Sequence, residues 1–170
     1  MQNPQGRVRL AHFIRRIPYL IGLAARLYRL IQPKYSIGVV AIIFNEQNQV
    51  LLVEHVYHPL HPWGLPGGWI GRNEAPDQTV KREIREELSM DIDPLRLVSA
   101  EITYRGHLDM AYLCQPKDAI GQMSDELLGY RWFDIDQLPP MKRFQYEAIL
   151  QALTLVNEAT ELNYDRYNIR

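Results

Sequence analysis

The sequence predicts an α/β fold, and three observations carry that expectation. Ser36–Phe44 is a continuous β-branched run, Leu95–Tyr104 and Leu108–Cys114 alternate as strands do, and Pro76–Leu88 spaces its apolar and acidic residues as a helix does. Helices interspersed with strands in one chain place it in the α/β class. With 170 residues, 46% of them hydrophobic, there is material for one domain of ordinary size with a filled core. The single cysteine, Cys114, excludes an internal disulfide and fits a reducing, cytoplasmic setting in which it serves as inert packing.

The net charge of −1 conceals an asymmetry: residues 1–34 hold seven Lys or Arg and no acid, whereas residues 35–170 hold twelve against twenty acids. Residues 1–34 read as an appendage. Arginines alternate with apolar clusters from Val8 to Ile31, which predicts two amphipathic helical pieces separated at Pro18. The uncharged run Ile17–Ala25 is too short to span a bilayer, and Arg15, Arg16, Arg26 and Arg29 bracket it. A basic leader before an apolar run also has the look of an export signal, but no clean cleavage site follows Ala24-Ala25 before Arg26. The segment is therefore expected to pack on the domain or on a partner copy in a homodimer. A second reading has residues 7–31 lie on a membrane surface, and salt-sensitive sedimentation with liposomes distinguishes the two.

Pro33 ends the segment, and a catalytic domain is expected over residues 35–157. Ser36–Phe44 reads as a strand buried on both faces, Asn45–Asn48 as a turn, and Val50–Tyr57 as the returning strand. His58 and His61 flank prolines in a loop with no Cys or Asp at ligand spacing, so they are read as loop residues and not metal ligands. Trp63 is a packing anchor, or an aromatic at a pocket mouth able to stack on a base or sugar. Gly64-Leu65-Pro66-Gly67-Gly68 is a turn-forming run whose glycines, Gly67 and Gly68 above all, let backbone approach a ligand.

Pro76 is tolerated in the first turn of the next helix, and Val80, Ile84 and Leu88 make an apolar stripe along it. Beside that stripe, Glu83, Glu86 and Glu87 project together from consecutive turns, three and four residues apart. Like charges so placed need a compensating cation, and clustered carboxylates suit a hard divalent ion, Mg²⁺ first with Mn²⁺ as its substitute. Arg- and Glu-rich helices are ordinarily solvated faces, but the glycine run just upstream favours a metal site here.

After the two alternating strands, Gln115–Asp125 is expected to be a loop, followed by Glu126 and a short strand through Tyr130, Trp132 and Phe133. Leu138-Pro139-Pro140 breaks the chain, Met141–Val156 forms a closing helix, and residues 158–170 are expected to be a loose C-terminal tail.

The spacing from Gly68 to Met90 resembles the signature of the Nudix hydrolases. Glu74 follows Gly68 by six residues, Arg82-Glu83-Ile84 begins eight further on, and Glu86-Glu87 and Met90 complete the pattern. Eight of nine specified positions match; the ninth, normally glycine, is Ser89. A serine can adopt the left-handed helix cap expected there at a cost of about 1 kcal/mol, so a slightly weaker fold with an intact site is expected.

The resemblance implies an α/β/α sandwich around a mixed sheet. It also implies metal-dependent hydrolysis of a nucleoside diphosphate linked to another moiety, with ADP-ribose or a nucleotide sugar first and nucleoside triphosphates as the alternative. In that pattern Glu83, Glu86 and Glu87 hold the metal, and Glu86 or Glu126 acts as the base. Glu74 and Arg82 tie the loop to the helix. A net acidic domain with no basic stripe argues against a nucleic-acid partner. A nucleotide-sensing or membrane-surface module with little catalysis is the competing class, and retention of all three glutamates favours the enzyme.

Overall fold

The computed structural model describes residues 18–57 and 60–168. The expected first helical piece up to Ile17, and His58, lie outside the described residues. By contacts the chain divides into two compact units between Lys34 and Tyr35.

The first unit contains helix α1, Pro18–Ile31. Its 3.6-residue period puts Leu23, Leu27 and Ile31 along one side and Arg29 on the opposite side. No described helix is long and apolar enough to cross a membrane.

In the second unit, β1 (Ser36–Ile43) is an inner strand of the larger sheet. It pairs in parallel with β6 (His107–Pro116) and antiparallel with the short β4 (Gly67–Trp69). β5 (Ile92–Tyr104) runs antiparallel to β6 at the edge, giving a four-stranded mixed sheet in the order β4-β1-β6-β5. A second, antiparallel sheet places β2 (Val50–His55) between β3 (Trp63–Gly64) and β7 (Leu127–Phe133). A bridge between Phe44 and Val50 closes the β1–β2 turn. There Asn45 Oδ1 accepts the Gln47 and Gln49 amides, and Asn48 takes a positive φ of 59°.

Because side chains alternate along a strand, β1 feeds two cores. Val39, Ala41 and Ile43 join Leu51, Val53 and the Val80, Ile84, Leu88 stripe of helix α2, Pro76–Leu88. Val40 and Ile42 join Val50, Leu52, Leu65 and the Phe144, Ala148, Ile149, Ala152 face of helix α3, Arg143–Asn168. The sheets thus lie between two helices, as an α/β/α sandwich. A one-turn 3₁₀ helix, Ile135–Gln137, precedes α3.

The returning strand ends at His55, short of Tyr57, and the closing helix begins at Arg143; three larger departures follow. The glycine run read as a turn contains two short strands, because Gly64 pairs with Val53 and Gly67 and Gly68 pair with Val40 and Val39. β5 and β6 reach beyond their alternating cores to Ile92 and Pro116, which pair with each other. The closing helix does not stop at Val156 but continues to Asn168, since Asn157–Asn168 contains no glycine or proline to end it.

Candidate functional site

Helix α2 carries the acidic residues, and its two ends are fixed locally. Pro76 occupies the first helical position, where its missing N–H is harmless. Ser89 caps the far end in the left-handed conformation, φ 48° and ψ 39°, and its amide donates to the Arg85 carbonyl at 3.0 Å. That cap sets where the helix stops and therefore which turns face β4.

The glycine pair of β4 lies beneath this helix. Gly67 has φ 148°, and a Cβ there would overlap the Val39 carbonyl oxygen. At Gly68 a Cβ would overlap the Glu83 carboxylate, so the bare backbone leaves the space that the carboxylate occupies. The Gly67 amide donates to Glu87 Oε2 at 3.0 Å.

Glu87 is buried, and that burial pushes its carboxyl up to about 8; the Gly67 amide opposes the rise, while Glu83, Glu126 and Glu86 add to it. Burial likewise raises Glu83, against the pull of Arg82. Acid therefore outweighs the single guanidinium of Arg82 at this point, the condition a bound cation relieves.

Arg82 supplies counter-charge within the helix. Its Nε and Nη2 donate to the two oxygens of Glu74 at 2.9 and 3.0 Å, a bidentate pair. Nη1 stands 2.9 Å from both Glu83 Oε1 and Glu86 Oε2, and Nη2 also reaches the Trp69 carbonyl at 3.1 Å. Glu74 Oε2 accepts the Gly71 amide at 2.9 Å, so this pair fastens the loop after β4 to α2. The Arg82 hydrogen bonds, with Gly71 second, hold the Glu74 carboxyl down at about 2 and raise the guanidinium further above its ordinary value.

Glu126 arrives from a different part of the chain, on the loop before β7. Its carbonyl accepts the Val56 amide at 3.1 Å. Together Glu83, Glu86, Glu87 and Glu126 line one open cleft of 460 Å³ with Gly67, Gly68, Arg82, His55, Tyr57 and Trp69. Four carboxylates with no competing thiol are the donor set of a hard divalent cation. Among the described residues no three acidic, histidine or cysteine side chains already form a closed ligand set; Arg82 Nη1 lies between Glu83 and Glu86.

A second cleft of 120 Å³ shares His55, Gly67, Gly68 and Trp69 with the first and extends to Tyr104, His107, Asp109 and Lys142. His107 is buried there, with Nδ1 2.7 Å from Ser36 Oγ and Nε2 3.1 Å from Asp109 Oδ1. Tyr104 stacks on its ring at 4.4 Å, and the Trp69 ring lies 4.8 Å away, tilted by 52°.

The structure brings Glu83, Glu86, Glu87, Glu126, Gly67, Gly68 and Arg82 together, with Glu74 behind Arg82. It places Trp63 elsewhere: that ring packs edge-on against Phe133 at 5.2 Å in the second core, with Arg131 5.7 Å from its centre. His61 does not line the cleft. The residues sequence reasoning missed are Trp69, Tyr104 and Asp109. Trp69 stood beside the glycine pair, which is the one local signal for it; Asp109 reaches the second cleft through β1–β6 pairing, opposite Gly38, and Tyr104 through β5–β6 pairing.

A NUDIX domain model matches residues 34–153. The chain is 27% identical over 108 residues to a MutT-like protein of Streptomyces ambofaciens, covering 62% of this chain and 68% of that protein. It is 32% identical over 107 residues to YjhB of Bacillus subtilis, whose name provisionally makes it an ADP-ribose pyrophosphatase, covering 58% of this chain and only half (50%) of that relative's length. An ADP-ribose pyrophosphatase structure from Streptococcus suis superposes with a TM-score of 0.61 at 26% identity, covering 71% of this chain and 92% of that one. With the domain model spanning most of its length, the chain belongs to the Nudix family, hydrolases of phosphoanhydride bonds.

Proposed function

We propose that this chain hydrolyses the diphosphate linkage of a nucleoside diphosphate joined to another moiety, ADP-ribose or a nucleotide sugar, in the presence of Mg²⁺. The observation that carries the reading is the convergence of Glu83, Glu86, Glu87 and Glu126 on one cleft floored by the Gly67-Gly68 backbone. Two features support the nucleoside part: the adjoining cleft carries the aromatic rings of Trp69 and Tyr104, on which a base can stack, and the similar Streptococcus suis structure is an ADP-ribose pyrophosphatase.

Glu83, Glu86 and Glu87 are the residues that would hold the ion, with Mn²⁺ able to replace Mg²⁺. When bound, such an ion neutralises the diphosphate and acidifies a water molecule. Glu87 is held in place by the Gly67 amide, and Arg82 gives Nε and Nη2 to Glu74 while Nη1 faces Glu83 and Glu86. Glu126, or Glu86 from the helix, takes the proton as water attacks one phosphorus. The water oxygen forms the new P–O bond, the bridging P–O bond breaks, and two phosphomonoesters leave.

The test is release of phosphomonoesters from ADP-ribose, nucleotide sugars, dinucleotides and nucleoside triphosphates, each with Mg²⁺, Mn²⁺ or EDTA. Metal-dependent cleavage of ADP-ribose or a nucleotide sugar supports the reading. Preference for a triphosphate would replace the substrate, and no turnover of any compound would remove the enzyme.

A further inference from the structure

Ser89 does more than end a helix. Its hydroxyl donates to the Gln122 carbonyl at 2.8 Å, a bond that a glycine at this position cannot make. The loop it reaches is pinned to the same helix end twice more: the Gly121 amide donates to the Leu88 carbonyl and the Ser124 amide to the Glu87 carbonyl, both at 2.9 Å. These are carbonyls a helix C-terminus leaves without partners. The fit is close, since a Cβ on Gly121 would stand 2.9 Å from the Ser89 Cβ. Ile120 and Met123 from the same loop pack on the first core.

From Gln122 the chain has little freedom before the cleft. The Leu127 amide donates to the Ser124 carbonyl at 3.2 Å, closing a turn around Asp125 and Glu126, and the Glu126 carbonyl is fixed to Val56. Glu126 thus lies four residues beyond the carbonyl that Ser89 grips, and lines the cleft with the three helix glutamates.

We propose that Ser89 is a positioning residue for the reaction: through its hydroxyl bond to Gln122 it holds the 117–126 loop on the end of α2 and so sets Glu126 against the carboxylate cleft. The proposal rests on the reading of Glu126 as part of the catalytic cleft. It makes Ser89 a functional substitute for the family's glycine, one that trades left-handed backbone strain for a side-chain tether.

Ser89→Gly separates the two properties, because glycine relieves the strain while removing the tether. Ser89→Asn tests rescue, since asparagine tolerates this conformation and carries an N–H donor. Three readouts are needed: thermal melting, amide hydrogen exchange of Gly121 and Ser124 in metal-free protein, and ADP-ribose hydrolysis with Mg²⁺. Ser89→Gly should melt no lower than the parent, yet exchange about tenfold faster at the two loop amides, the effect of losing one hydrogen bond. Its kcat should fall about three- to tenfold with KM within about twofold, and Ser89→Asn should restore both exchange and kcat. In a double-mutant cycle, Ser89→Gly should add no further loss to Glu126→Gln.

Parent-like exchange in Ser89→Gly would overturn the proposal without any assay of turnover. So would a full additional loss in the double variant. If Glu126→Gln alone turned over at the parent rate, the reading of Glu126 would fall and take the role of Ser89 in turnover with it. A slow Glu126→Gln beside a parent-like Ser89→Gly would overturn only the role given to Ser89.

Discussion

Glu87 Oε2 lies 3.0 Å from the Gly67 amide nitrogen, so a buried acid on α2 is oriented by the backbone of a strand twenty residues earlier in the chain. One amide cannot offset the burial of a full charge, and the carboxyl consequently sits far above its ordinary range. Replacing it with the isosteric amide removes the carboxylate proposed to hold the ion while keeping the shape. Glu87→Gln is expected to lose about 10²-fold or more in metal-dependent turnover with an unchanged circular dichroism spectrum. Turnover within a few-fold of the parent would remove Glu87 from the site.

The two glycines of β4 should respond differently to alanine. At Gly67 the added methyl meets the Val39 carbonyl in a strained φ region, and backbone cannot step aside. Gly67→Ala is expected to cost about 1–3 kcal/mol or to prevent folding, read by chemical denaturation. At Gly68 the obstacle is the Glu83 side chain, which can rotate away. Gly68→Ala should therefore fold and lose activity; the reverse order of stabilities would contradict the packing described.

The Glu74–Arg82 pair has a pH signature. Glu74 titrates at about 2 in the fold, below the ordinary glutamate value of 4.5, because Arg82 and Gly71 bond its charged form. The group binds fewer protons folded than unfolded between those values, so its contribution is present above pH 4.5 and is lost as pH falls toward about 2. Glu74→Gln should melt below the parent at neutral pH, and the difference should close on acidification through that window. A difference that persists at pH 2 would mean the loss is one of packing.

Cys114 offers a simple check on the first core. The thiol is buried beside α2 and β1, and burial pushes it up to about 12. N-ethylmaleimide at pH 8 should leave the native protein unlabelled and react fully once guanidinium unfolds it. Rapid native labelling would show that this core opens.

The parts legible in the sequence are those fixed by neighbours in the chain. Helix α2 was readable because Pro76 and the Val80, Ile84, Leu88 stripe act within a few turns, and the Glu83, Glu86, Glu87 grouping follows from the same period. The strand character of Gly64 and Gly67–Gly68 was not, since it exists only through pairing with β2 and β1. Local sequence also could not rank Trp63 against Trp69. Phe133, seventy residues away, draws the first into a core, while pairing with Gly38 sets the second at the cleft.

The alternation of β1 between two cores has a consequence for how this protein can fail. A slip of one residue would exchange Val39, Ala41 and Ile43 for Val40 and Ile42, mismatching side-chain shapes in both cores at once and shifting the pairing that sets Gly67 and Gly68 beneath α2. Because β1 contributes to both cores, loss of either one disturbs the strand that holds the cleft's glycine pair. Heat or denaturant should therefore extinguish catalysis and structure along a single curve.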